Sequence, residues 1–180
     1  EDAAERVADA VDRLVRGGAE AIVLDLRGDP GGYLQQAIRV ASLFLDGGVV
    51  CSTSGVNQES RVYAVSGAAI ETKRPLAVLV DGSTASAAEI VAGALRDNKR
   101  AVIVGQRTYG KATVQSLVAL SNGGALKLTT ATYLTPSGQN IGGRGIKPKV
   151  KATDDPWTAA DEALAVAERA LLQDLEPLAQ

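Results

Sequence analysis

The stretch Leu76-Ala77-Val78-Leu79-Val80-Asp81-Gly82-Ser83-Thr84-Ala85-Ser86-Ala87-Ala88-Glu89-Ile90 decides the fold. Five uninterrupted apolar residues, 76–80, suit a strand covered on both faces. The Gly/Ser turn ends that strand, and the spacing beyond it predicts a helix from about Ala87 to Arg96. Ala101 to Val104 is the next apolar run, so the region reads strand, helix, strand. That order is the parallel crossover unit of α/β proteins.

The flanking sequence continues the alternation. Val7, Val11, Leu14 and Val15 recur at helical spacing before Gly17-Gly18, and Ala21 to Leu26 reads as a buried strand closed by a turn at 27–32. A helix over Leu34 to Leu45 and strands at Val49 to Ser52 and Arg61 to Val65 come next. Strands near Thr113 to Leu120 and Ala125 to Leu134 flank Ser121-Asn122-Gly123-Gly124, a hairpin signal. Loops fill 135–148, and an amphipathic helix spans Thr158 to Leu172. The expectation is an α/β fold with a mostly parallel sheet flanked by helices, and an antiparallel portion late in the chain.

The chain has 180 residues, enough for one domain or one domain with a small appendage, and such a core buries roughly 70% of the unfolded surface. Apolar residues make up 46% of it, which excludes a disordered chain. The formal net charge is −2 and the 19 lysines and arginines are scattered along the sequence, which argues against a nucleic-acid surface. No apolar run approaches the ~20 residues that span a bilayer. A lone cysteine, Cys51, permits neither an internal disulfide nor a metal cluster. The sequence begins within a helical pattern and without methionine, so it reads as an excised piece whose lack of a signal peptide says nothing about location.

The chain contains no histidine. A serine hydroxyl at neutral pH needs a nearby base to attack a carbonyl, and without an imidazole the remaining candidate is a neutral lysine amine. Ser86 stands at the predicted start of a helix, where free amides and the dipole favour a developing oxyanion, with the Ala87 amide as one donor. The same Ser86-x-x-Glu89 spacing also fits a plain capping box. Ser83 and Thr84 are better explained as turn residues. Lys111 follows Gly110 in a turn between apolar strands, a place where burial would lower its pKa; a solvated loop lysine is the plainer reading. Gln115 alone reads as a polar strand residue. Pro30-Gly31-Gly32 lies past the C-terminal end of the first strand, where α/β sheets gather their sites, and its glycines admit a close ligand or form a simple turn.

Taken together, Leu24-Asp25-Leu26-Arg27-Gly28-Asp29-Pro30-Gly31-Gly32, Ser83-Thr84-Ala85-Ser86-Ala87-Ala88-Glu89-Ile90 and Gly110-Lys111-Ala112-Thr113-Val114-Gln115 resemble the carboxyl-terminal processing peptidases, or tail-specific proteases. Tyr133-Leu134-Thr135-Pro136-Ser137-Gly138 and Gly145-Ile146-Lys147-Pro148 match as well, so the likeness runs through nearly the whole chain. The resemblance implies a crotonase/Clp-protease-like core, a serine endopeptidase acting near the carboxyl termini of proteins through an acyl-enzyme, and no cofactor. It implies Ser86 as nucleophile, Lys111 as general base, Gln115 as the residue that orients the lysine, and an oxyanion hole from Ala87 with Gly31 or Gly32, Gly31 being favoured. Residues 1–155 would form the catalytic core, and 156–180 a helical segment packed on it or extending from it. Partners would be protein or peptide substrates, with an oligomer left open, and the location would be extracytoplasmic. Family members usually carry a PDZ domain and a first core strand before this point, and an acidic residue where Lys149 stands; this sequence has neither feature. The expectation is that the piece folds but is a weak protease by itself. Two other readings remain: a non-catalytic ligand-binding module on the same fold, and a crotonase-like acyl-CoA enzyme, which nothing in the sequence favours.

Overall fold

A computed structural model describes residues 2–55, 58–155 and 157–175. In chain order the elements are α1 (Ala3–Arg16), β1 (Ile22–Asp25), α2 (Leu34–Ser42), β2 (Val49–Gly55), β3 (Gln58–Ala64), β4 (Leu76–Val80), α3 (Ala87–Asp97), β5 (Val102–Gly105), β6 (Thr113–Ala119), β7 (Ala125–Leu134), β8 (Val150–Lys151) and α4 (Glu162–Leu175). Of the C-terminal segment 156–180, Pro156 and residues 176–180 lie outside the described residues.

β4 is buried along its whole length, as its unbroken apolar run requires. It pairs in parallel with β1 on one side and β5 on the other, and the order of this first sheet is β1-β4-β5-β8. Alternate residues of β4 serve opposite layers. Leu76, Val78 and Val80 pack with α2 and α3, while Ala77 and Leu79 pack with Ala163, Ala167 and Leu171 of α4. Helices therefore cover both faces, and truncating a residue such as the fully buried Leu79 to alanine would cost about 2–5 kcal/mol.

The antiparallel portion is not a late extension of that sheet. It is a second four-stranded sheet of order β3-β2-β7-β6, which the early strands β2 and β3 join. Ser52 to Ser54 pair with Thr132 to Leu134, a contact between residues some 80 positions apart that no local pattern could announce. β8 was also outside the reach of periodicity, being two residues long and held by Val104 and Gly105 of β5. The consequence for the site is geometric. The loops after β1 and β4, the N-terminus of α3 and the start of β6 all meet at the C-terminal edge of the parallel sheet.

Candidate active site

Two loops at that edge are joined before any catalytic side chain is considered. Thr84, fully buried, donates its hydroxyl to the Leu26 carbonyl at 2.7 Å, and the Ala85 N–H donates to the Asp29 carbonyl at 2.9 Å. Asp81 accepts from the backbone N–H groups of Gly28, Ser83 and Thr84. Burial works against ionisation of Asp81, yet those N–H donors outweigh it and hold its carboxyl below the ordinary value. Thr84 is thus a structural turn residue, as its sequence setting suggested.

Ser86 stands at the N-terminus of α3 with φ 53° and ψ −116°, a left-handed setting that a side chain rarely adopts. Strain of this kind persists where surrounding bonds over-determine the backbone, and it is concentrated at functional positions. The half-buried Ser86 lies directly against the glycine turn. A Cβ built on Gly31, itself at φ +98°, would sit 2.7 Å from the Ala85 carbonyl oxygen, 2.8 Å from the Ala87 nitrogen and 2.9 Å from the Ser86 Cβ. Only glycine permits this approach. Gly32 is exposed, and an added Cβ there meets nothing within 4 Å.

The three amides expected to serve an oxyanion are not equivalent. The Gly31 N–H donates to Asp29 Oδ1 at 2.8 Å, so an anion could use it only by displacing that carboxylate. Among the described residues the N–H groups of Ala87 and Gly32 donate to no protein acceptor. Ala87 is the first residue of α3, and its unused amide is one of the donors every helix start leaves over.

What binds the nucleophile loop to the lysine loop is Glu89, a residue that sequence spacing presented only as half of a cap. Its side chain is fully buried. Oε2 accepts from the Ser86 N–H at 2.9 Å and from the Lys111 N–H at 2.8 Å; Oε1 accepts from the Gly110 N–H at 2.7 Å and from Thr108 Oγ1 at 2.5 Å. The Ser86 and Lys111 backbones thus meet at one oxygen atom. Four donors satisfy a carboxylate that would otherwise be very costly to bury. Thr108 in turn accepts the Ile146 N–H at 2.6 Å, which brings the Gly145-Ile146 loop into the same network. The capping pattern exposed the first of these bonds; the other three come from residues 19 to 22 positions away.

Lys111 is exposed, not held in a dry pocket, and the described residues contain no hydrogen bond between Ser86 Oγ and Lys111 Nζ. Gln115 is exposed on β6, at the irregularity where the register with β7 shifts between Val114 and Gln115. Beside Gly31 and Ala87 opens a cavity of about 390 Å3, floored by Leu24, Leu26, Val40 and Val91 and flanked by Tyr33. Its lining suits an apolar side chain. Among the described residues no group of histidine, cysteine, aspartate and glutamate could hold a metal ion, and no helix is long and apolar enough to cross a membrane.

Comparison with known proteins fits this geometry. The model for peptidase family S41 matches residues 1–152. A carboxy-terminal-processing protease of Bartonella bacilliformis is 50% identical over 130 residues, covering 71% of this chain and 30% of its own length. The carboxy-terminal processing protease CtpA of Bacillus subtilis is 40% identical over 152 residues, covering 84% of this chain and 33% of its own. Among solved structures, a photosystem II D1 C-terminal processing protease superimposes with a TM-score of 0.81 at 35% identity, covering 93% of this chain and 43% of that one. The chain spans about a third of the length of the curated relatives it matches. These relatives are named as proteases.

Proposed function

The chain belongs to peptidase family S41, and on that premise we propose that it carries the catalytic centre of a serine endopeptidase acting near the carboxyl termini of protein substrates. The observation that carries this reading is the Glu89 carboxylate, which ties the backbones of Ser86 and Lys111 to one buried point. A plain cap or a solvated loop lysine would need no such link.

In the proposed reaction Ser86 Oγ attacks the scissile carbonyl carbon while the neutral Lys111 amine takes the hydroxyl proton. The carbonyl oxygen becomes an anion held by the Ala87 N–H and by a glycine amide, Gly32 as it stands or Gly31 once Asp29 lets go. Lys111 returns the proton to the departing amine, leaving the acyl group on Ser86. Water, deprotonated by the same lysine, then attacks the ester and frees Ser86. Gln115 would orient the lysine from β6. An apolar residue before the scissile bond would enter the 390 Å3 cavity beside Gly31. Substrate laid across these loops would also cover Lys111, and catalytic contacts that are long in a free enzyme tighten in the complex. Family membership is what supports an extracytoplasmic place of action.

The test is cleavage of an unfolded protein with an apolar carboxyl tail, its products identified by mass. Release of tail peptides that Ser86→Ala and Lys111→Arg both abolish is the expected result. Undiminished cleavage in Ser86→Ala would refute the assignment.

A further inference from the structure

At the end of α3 remote from Ser86, about 16 Å along the helix axis, a cavity of about 510 Å3 opens beside the N-terminal ends of β4 and β5. Seven of the chain's 19 lysines and arginines line it. Basic residues that look scattered in the sequence are gathered here in space, although the chain as a whole carries a formal charge of −2.

Two of the arginines are neutralised locally. Arg74 pairs with Glu71 at 2.6 Å, and Arg96 with Asp97 at 2.7 Å. Arg100 instead donates to the backbone carbonyls of Phe44 and Glu71, at 3.1 and 3.2 Å. Burial pulls its guanidinium below the ordinary value, and the charges of Glu71 and Asp46 oppose that shift. Lys73, Lys99, Lys147 and Lys149 are exposed, and among the described residues their ammonium groups make no hydrogen bond or ion pair. Five positive charges therefore face the cavity without a paired carboxylate. A second cavity of about 420 Å3 shares Arg96 and Lys147 and adds Arg107 and Arg144, so the basic surface is a continuous trough.

The negative end of the α3 dipole accounts for cations at Arg96, Lys99 and Arg100. It does not account for Lys73, from the loop before β4, or for Lys147 and Lys149, from the segment before β8. Lys99 carries a further sign. It follows the C-cap Asn98 at φ +58°, the position where helices usually place glycine. Lys99 and Ser86 are the two non-glycine residues with positive φ among the described residues, and they stand at the two ends of α3. At Lys99 the positive φ closes the helix, its N–H donating to the Arg96 carbonyl and that of Arg100 to the Leu95 carbonyl, and it sets a lysine in place of the usual glycine on the cavity lining.

We propose that this trough binds clustered phosphate groups. Lysines act as point charges toward phosphate, and five of these unpaired charges in one concavity match a multivalent anion, not a single carboxylate. Such phosphates come from the headgroups of an anionic lipid surface or from a soluble polyphosphate.

The experiment measures binding of the protein to inorganic pyrophosphate by calorimetry, and to vesicles of phosphatidylglycerol in phosphatidylcholine by co-sedimentation. Affinity that falls with ionic strength is expected in at least one arm. Pyrophosphate alone identifies a soluble ligand, vesicles alone a lipid surface, and both the shared chemistry. Lys149→Gln should weaken binding roughly fivefold. Lys99→Gly should weaken it similarly while raising Tm by a few degrees, because strain is relieved. Fluorophosphonate labelling of Ser86 should be unchanged in both variants. No binding in either arm, affinity untouched by both variants, or equal affinity for a polyglutamate peptide would overturn the proposal.

Discussion

Replacing Glu89 by glutamine keeps the shape of the side chain and exchanges one oxygen for an NH2 group. In the native site each oxygen accepts from two donors. If the NH2 takes the Oε2 place, it confronts the N–H groups of both Ser86 and Lys111. If it takes the Oε1 place, it confronts the Gly110 N–H and leaves the Thr108 hydroxyl proton without an acceptor. Either way two hydrogen bonds to a charged acceptor are lost, about 3–6 kcal/mol at 1.5–3 each. The neutral amide is easier to bury than the carboxylate, which returns part of that loss. The expected destabilisation is about 2–4 kcal/mol, a large share of the 5–15 kcal/mol that holds a typical domain together. Urea unfolding should show it as a lower midpoint at constant slope. The loops carrying Ser86 and Lys111 should also drift apart, so labelling of Ser86 by a fluorophosphonate should slow by up to ~100-fold. A Glu89→Gln variant within about 0.5 kcal/mol of the parent, labelled at the parent's rate, would refute the role given to this carboxylate.

Three further outcomes follow from the same geometry. Gly31→Ala should destabilise the protein and abolish labelling, because its Cβ would enter the space of Ala85 and Ala87, whereas Gly32→Ala should fold normally; equal thermal melts for the two would contradict the close approach. Ser86→Gly should be at least as stable as Ser86→Ala, since relief of the positive φ offsets the larger entropy of unfolded glycine; a clearly less stable glycine variant would show that Ser86 is unstrained. Hydrogen bonds from Arg27 hold the Asp161 carboxyl down to about 2, so this contact between the β1 loop and the start of α4 should be intact at pH values above ~4 and lost as pH falls through about 2. Carboxyl NMR titration would show it, and an ordinary value near 4 would argue against the contact.

How much of this was legible in the sequence differs by residue. Leu76–Val80 was readable to the residue because both of its faces are covered, which leaves no polar position to blur the run. The hairpin strand Ala125–Leu134 was readable because the turn residues before it allow little else. Pairing between β2 and β7 was not, since it joins segments whose separation only the tertiary fold closes. Ser86 and Lys111 could be nominated from the missing histidine and the surrounding blocks. The part of Glu89 could not, because three of its four donors arrive from the far side of β5. The spatial grouping of charge was not legible either: lysines and arginines spaced widely along the chain converge on one concavity.

The central claim is that Ser86 is a nucleophile activated by Lys111, and a lysine differs from an arginine here in one decisive respect. An amine can lose its proton to become a base, while a guanidinium cannot under these conditions. The most direct measurement is therefore fluorophosphonate labelling followed by peptide mapping, on the parent protein and on Lys111→Arg. The account predicts a single adduct on Ser86 in the parent and none in the variant, with the circular dichroism of the two indistinguishable. An adduct on another serine, or Ser86 labelled equally fast in Lys111→Arg, would contradict it.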